Sequence, residues 1–217
     1  MKKLICFDLD NTLIYSDKCH ILAYNYALKQ EKLAVPSKKF LVSLFGMPHY
    51  KLIELIAPDL DSEDIEKLTR LHDNILVRKT YKYSNAVAGT VKTLDTLKKD
   101  YNLAILSNSS HRNIILLLKG AKIDKNLFKI IIGNDDVKRS KPYPDEIFKA
   151  EHLFHTKADF MIGDSIYDML AGKRANVKTI GVLTGHYPRM LLKKQGADYI
   201  IKSVNKLPQL LKEVNNK

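Results

Sequence analysis

The run Leu4-Ile5-Cys6-Phe7-Asp8-Leu9-Asp10-Asn11-Thr12-Leu13 is a short apolar stretch broken by two acids two residues apart. Consecutive apolar residues without alternation suit a parallel strand buried on both faces. Asp8 falls where that strand ends. A spacing of two puts the Asp8 and Asp10 side chains on the same side of an extended segment. Two carboxylates there repel unless a divalent cation or a shared proton neutralises them. A hard cation such as Mg²⁺ prefers oxygen ligands and keeps several waters. The plain alternative is a turn, since Asp and Asn are common loop residues. A calcium loop fails: Asp8, Asp10 and Thr12 suit its first ligand positions, but its required Gly and Glu are here Leu13 and Cys19.

Outward from this run, the apolar pattern recurs at Leu103–Leu106, Ile130–Ile132, Phe160–Ile162 and Thr179–Leu183. Helical segments lie between or beyond these runs, at Thr90–Lys99, Arg112–Lys119, Asp145–Phe154, Tyr167–Ala175 and Pro188–Gln195. Strand alternating with helix predicts an α/β fold with a doubly wound, mainly parallel, Rossmann-like sheet. Ligands of such sheets sit outside the carboxyl ends of the strands. Residues 16–81 break the alternation and carry only helical periodicity, at His20–Lys29, Lys38–Phe45, Tyr50–Ala57 and Glu63–Arg78. Asp61-Ser62 reads as the cap of the last of these. The expectation is an all-helical cap over 16–81, inserted into a catalytic core of 1–15 and 82–217. Lys212–Lys217 is expected to fray.

Further candidates follow the other strands. Gly163-Asp164-Ser165-Ile166-Tyr167-Asp168 comes directly after Phe160-Met161-Ile162. A helix starting near Ser165 would turn Asp164 and Asp168, four apart, the same way. Asp164 or Ser165 also reads as a simple helix cap, but acids at two strand ends of one sheet favour a metal. Ser107-Asn108-Ser109-Ser110 follows Leu103–Leu106 and offers hydroxyl and backbone donors suited to phosphate. Lys141, in Ser140-Lys141-Pro142-Tyr143-Pro144, sits in a loop stiffened by two prolines; a surface lysine is the alternative. None of the seven histidines has an evident partner in the sequence.

The chain has 217 residues and a net charge of +12, so nucleic-acid binding has to be weighed. The basic residues are mostly scattered lysines, with six arginines and no Arg-rich stripe interleaved with aromatics. That pattern fits a solvated surface, and acids at two strand ends would repel a phosphate backbone. No nucleic acid is therefore expected as a partner. No membrane is expected either, since no stretch approaches the roughly 18–20 apolar residues of a span. The N-terminal apolar run is too short for a signal peptide. Cys6 and Cys19 suit neither a metal nor a disulfide framework, which makes a reducing, cytoplasmic home the default.

In this order, the four pieces resemble the haloacid dehalogenase superfamily of aspartyl-phosphate-forming hydrolases, over most of the chain outside 16–81. Asp8-Leu9-Asp10-Asn11-Thr12-Leu13 is similar to the leading motif, with Asn11 a common alternative to Gly. Ser107 falls at the hydroxyl of the second motif, Lys141 at the basic residue of the third, and Asp164 and Asp168 at the acids of the fourth. Ala171–Asn176, Gly181–Gly185 and Gly196–Tyr199 look like the phosphoglycolate phosphatase branch, which a helical cap also fits.

The resemblance implies a phosphatase with Asp8 as nucleophile and Asp10 as general acid and base. Mg²⁺ would be held by the Asp8 and Asp164 side chains and the Asp10 backbone carbonyl, with Asp168 acting directly or from behind. Lys141 would screen the phosphoryl charge, while Ser107 and Asn108 would hold its oxygens. Substrate contacts from the cap are sought at Gly46, in Phe45-Gly46-Met47-Pro48, although Gly and Pro there also read as helix punctuation. Asp10 argues against a dehalogenase, whose halide needs no proton. The expected substrate is a small phosphorylated metabolite, phosphoglycolate first. Pyrophosphate, or a sugar-phosphate mutase with the same motifs, is the alternative. Tyr15 stands where the family often has Asp, which bears on the substrate and not on the mechanism.

Overall fold

The computed structural model describes residues 2–215. Strands β1 (Lys3–Phe7) and β2 (Ile14–Tyr15) precede helices α1 (Asp17–Gln30), α2 (Lys38–Ser43), α3 (His49–Ile56) and α4 (Ser62–Ile75). A π-helical turn (Leu76–Thr80) and a 3-10 turn (Tyr81–Tyr83) lead to β3 (Asn85–Ala86) and α5 (Thr90–Leu97). Strand and helix then alternate through β4 (Tyr101–Leu106), α6 (His111–Gly120), β5 (Ile130–Ile132), α7 (Asp145–Phe154) and β6 (Ala158–Gly163). The chain ends with α8 (Ile166–Arg174), β7 (Lys178–Val182), α9 (Arg189–Lys194), β8 (Tyr199–Ile201) and α10 (Leu207–Asn215).

Six strands form one sheet in the order β5-β4-β1-β6-β7-β8, and every pairing in it is parallel. The strand order reverses at β1, which has β4 on one side and β6 on the other. That is the topological switch point of the sheet, where ligands of open α/β folds bind. The continuous apolar runs follow from burial of both faces. Ile5, Phe7, Ile105 and Ile162 pack with Leu94, Ile114 and Leu207 on one side. Leu4, Cys6, Leu106 and Met161 pack with Ile147 and Ala171 on the other. A strand covered by helices on both faces has no polar side to alternate with.

The helical stretch from α1 to α4 leaves the core after β2 and returns at β3, and these two short strands pair antiparallel at its base. Its buried residues Leu28, Leu41, Ile53 and Leu68 are continuous with the larger core cluster. Asp61 caps α4 as expected, its side chain accepting from the Asp64 N–H at 2.9 Å. Three features differ from the sequence reading. The β2–β3 ribbon has only two residues per strand and β8 is a half-buried edge strand of three, so neither shows a clear apolar run. The C-terminal segment expected to fray is helical to Asn215, because α10 docks on the sheet through buried Leu207 and Leu211; residues 216–217 lie outside the described part. No helix among the described residues is long and apolar enough to cross a membrane.

Candidate active site

Asp8 is the first residue beyond β1, and its N–H still donates to the Ile162 carbonyl at 2.8 Å. The chain then turns sharply, with the N–H groups of Thr12, Leu13 and Ile14 all donating to the Leu9 carbonyl. Asn11 adopts φ 56° in this turn. That left-handed conformation is open to Gly and Asn and costly for most other residues. The Asn11 side chain is itself held, donating to Asp17 at 2.8 Å.

The ends of β1, β4 and β6 and the loop that carries Lys141 converge on Asp8. The Lys141 ammonium donates to Asp8 Oδ1 at 2.7 Å, to Asp168 Oδ1 at 2.7 Å and to the Leu106 carbonyl at 2.8 Å. Its three donors are thus all engaged, and the residue is only 2% exposed. Far from being a surface lysine, it is the cation inside a cluster of acids. Asp164 and Asp168 join Asp8 there, the three offering carboxylate oxygens within 4.8 Å of one another. Asp168 is held at its other oxygen by the Ser165 N–H (3.1 Å) and hydroxyl (2.6 Å). Ser165 in turn accepts from the Asp168 N–H, so the segment is a helix cap, and the capping acid is the one that also meets Lys141. Asp164 is held more loosely, its Oδ1 accepting from the Thr12 hydroxyl at 3.4 Å. The glycines have a steric reason: a Cβ on Gly185 would overlap the Asp164 carboxylate, and one on Gly163 would overlap Asp168.

Three carboxylates against one ammonium leave a buried excess of negative charge. Burial pushes the Asp8 carboxyl up to about 8, with Asp168 and Asp10 adding to the effect and Lys141 opposing it. Asp164 is likewise raised by burial and by the charges of Asp8 and Asp168. An all-oxygen, over-charged pocket of this kind fits a hard divalent cation. The Asp10 side chain is not part of it. Its Oδ1 accepts from the Ser16 hydroxyl and from His20 Nε2 at 3.2 Å, and its Oδ2 accepts from the Ser109 hydroxyl at 3.2 Å. Burial alone would raise Asp10, but the His20 hydrogen bond and charge, with Ser16 and Ser109, outweigh it and hold the carboxyl down at about 2. Asp10 can therefore reach a metal only through its backbone.

Ser107, Asn108, Lys141, Asp8, Asp10 and Asp164 line a cavity of about 60 Å³, closed on its far side by Phe45, Gly46, Met47 and His49. The Ser107 hydroxyl accepts from the Ser109 N–H at 3.1 Å. The Asn108 amide donates to the carbonyls of Gly46 (2.9 Å) and Lys141 (3.1 Å), joining the helical stretch to the core, while its Oδ1 is buried with no hydrogen-bond partner among the described residues. Gly46 has φ 95°, and a Cβ there would crowd Ser165. Its backbone is also held from the side, through the Tyr187 hydroxyl on the Phe45 carbonyl at 3.2 Å. All the candidate residues of the sequence thus meet in one place.

Comparison with known proteins agrees with this geometry. The family model described as "Haloacid dehalogenase-like hydrolase" matches residues 5–182. The chain belongs to this family. It is 31% identical over 212 residues to the pyrophosphatase PpaX of Anoxybacillus flavithermus, covering 95% of each chain. It is 29% identical over 219 residues to a phosphoglycolate phosphatase of Colwellia psychrerythraea, again covering 95% of each. A crystal structure of a hydrolase from Pseudomonas syringae superposes with a TM-score of 0.85 at 28% identity, covering 99% of each chain.

The sequence reading missed the histidines. His20 contacts Asp10, His186 contacts Asp17 at 2.7 Å, His111 contacts Asp136 at 3.1 Å, and His72 contacts Asp73 at 2.9 Å. A local signal existed for Ser16 and His20, which lie four apart at the start of α1 directly after the leading motif. None existed for His72, whose position depends on how α4 packs against α1.

Proposed function

We propose that this family member is a Mg²⁺-dependent phosphatase that hydrolyses a small phosphorylated metabolite through an aspartyl-phosphate on Asp8. The observation that carries the reading is the convergence of Asp8, Asp164, Asp168 and Lys141 at the switch point of the sheet. Asp8 and Asp164 would hold the ion by their carboxylates and Asp10 by its backbone carbonyl, with Asp168 held in place behind them. The bound ion would neutralise the acids and polarise the phosphoryl oxygens.

Lys141, anchored on Asp8 Oδ1, would orient the nucleophile so that its other oxygen attacks phosphorus. The bond from phosphorus to the leaving oxygen breaks as the Asp8–phosphorus bond forms, and Asp10 delivers a proton to the leaving oxygen. Asp10 is ionised at rest. An arriving phosphoryl dianion raises its proton affinity, and His20 is the donor next to it. Asp10 then takes a proton from the water that attacks the aspartyl-phosphate, releasing phosphate and restoring Asp8. Ser107 would hold a phosphoryl oxygen meanwhile.

Residues 16–81 would serve as the cap, with Gly46 and its neighbours facing the leaving group. The closing of the cavity by Phe45, Gly46, Met47 and His49 favours a small substrate such as phosphoglycolate over a nucleotide. Pyrophosphate is the second reading, favoured by the 31% identity to a pyrophosphatase. Two buried, unpaired cysteines suit the reducing cytoplasm expected from the sequence. The test is Asp8→Asn assayed on phosphoglycolate, pyrophosphate and an aryl phosphate, with and without Mg²⁺. The variant should be folded and inactive on all three. Turnover at the wild-type rate would sink the mechanism.

A further inference from the structure

Beyond Asp10 runs a chain of side chains of which the reaction as derived uses only His20. His20, on α1, reaches Asp10 through Nε2 and turns Nδ1 towards His72 Nε2, 3.3 Å away. His72, on α4 and fully buried, reaches Asp73 Oδ1 through Nδ1 at 2.9 Å. Asp73 is anchored on the core, where Asn113 donates to its Oδ1 at 2.7 Å and the Ser110 hydroxyl to its Oδ2 at 3.1 Å. Two arrangements of protons satisfy every contact, with the imidazolium on His20 or on His72; the Asp10 carboxylate beside His20 and the full burial of His72 favour the first. In it, His72 donates to Asp73 and accepts from His20, and His20 donates from both ring nitrogens, to His72 and to Asp10.

His49 lies beside the pair, so the three imidazoles could be taken for a metal site. The ring geometry argues otherwise. The His20 and His72 planes are 8° apart, with centroids 5.4 Å apart. That separation exceeds the nitrogen-to-nitrogen distance by about two ring radii. The rings therefore meet edge to edge in nearly parallel planes, with the two nitrogens facing each other. Lone pairs aimed at each other share a proton; metal ligands must instead converge on a third point.

We infer that His72 and Asp73 are positioning residues which act through His20 to fix the Asp10 carboxylate for proton delivery to the leaving group. His20 could rotate about its side chain were Nδ1 free; His72 prevents this, and Asp73 with its two core donors prevents rotation of His72. The inference rests on the proposed role of Asp10 and extends it to two residues that touch no substrate.

The experiment compares kcat/KM, which reports attack on phosphorus, for two aryl phosphates of similar shape. Phenyl phosphate loses a basic phenolate that needs a proton; dinitrophenyl phosphate loses a stable one that does not. His72→Phe keeps the ring and removes the chain. It should lower kcat/KM about ten- to a hundredfold on phenyl phosphate and less than about threefold on dinitrophenyl phosphate. His72→Gln, whose amide can still accept from His20, should recover most of the loss. Asp73→Asn should show the same selectivity in a milder form, and it serves if His72→Phe does not fold. Equal losses on the two substrates, or none, would overturn the inference and leave a purely structural role. Asp10→Asn is measured alongside. If it fails to discriminate between the substrates, the acid role of Asp10 falls, and this inference with it.

Discussion

Replacing Lys141 by Met removes the one cation that the described residues place in the acid cluster, while keeping the length of its unbranched stem. The ammonium makes 2.7 Å contacts to both Asp8 and Asp168 and a 2.8 Å contact to the Leu106 carbonyl, out of reach of solvent. Truncating one partner of a buried pair costs about 3–5 kcal/mol, because the other charge stays buried and unpaired. The lower end applies here. Asp168 keeps its two contacts from Ser165, and Asp8, already pushed up to about 8, can take up a proton. A loss of about 3 kcal/mol lowers the melting temperature of a domain this size by roughly 6–12 °C. Catalysis should fall further, by about 10²–10³, the scale for removing one donor to a transition-state anion.

The assay is a calorimetric melt of metal-free protein at pH 7, with turnover measured separately in Mg²⁺. A double variant, Lys141→Met with Asp168→Asn, should be less destabilised than the sum of the single variants, because the two residues share a contact. A melting temperature within about 2 °C of wild type would refute the view that the ammonium is what holds the acids together.

Other consequences concern charge and space. Asp8 has a folded-state pKa above its unfolded value, so the metal-free fold binds its proton more tightly than the unfolded chain does. Metal-free stability should therefore decline as pH rises from about 4 towards about 8, and saturating Mg²⁺ should flatten that slope in chemical denaturation. A decline that persists unchanged with Mg²⁺ would place its origin elsewhere. Gly185→Ala forces a methyl group into the Asp164 carboxylate. The Mg²⁺ concentration for half-maximal activity should rise about 10–100-fold, the scale on which disturbed ligand orientation weakens metal sites. An unchanged value would remove Asp164 from the metal set.

Much of this protein is legible along the chain because its signals are local. Apolar runs such as Leu4–Phe7 and Phe160–Ile162 announce buried parallel strands, and the acids that follow them fall at one edge once all strands are parallel. The N-cap at Asp61 and the left-handed turn at Asn11 are also set by neighbouring residues. The three isoleucines of β5 form a readable run, whereas the two-residue strands β2 and β3 and the half-buried β8 carry too little pattern to be read. Their pairing partners lie elsewhere in the sequence, as the Ile14 to Ala86 register illustrates.

Lys141 shows where sequence and tertiary structure divide. By sequence it is one lysine among many, set apart only by flanking prolines and a family resemblance. Only the packing of its loop across the ends of β1 and β6 makes it the buried partner of Asp8 and Asp168. That Asp8 and Asp164 stand at strand ends follows from the order of residues alone, because apolar strand runs and parallel pairing are enough to put them there. Tertiary structure alone decided what surrounds them. The environment of Asp10 is assembled from Ser16, His20, Ser109 and, through His20, the distant His72 and Asp73. Charge and hydrogen bonding depend on distance in space, which a linear chain does not record.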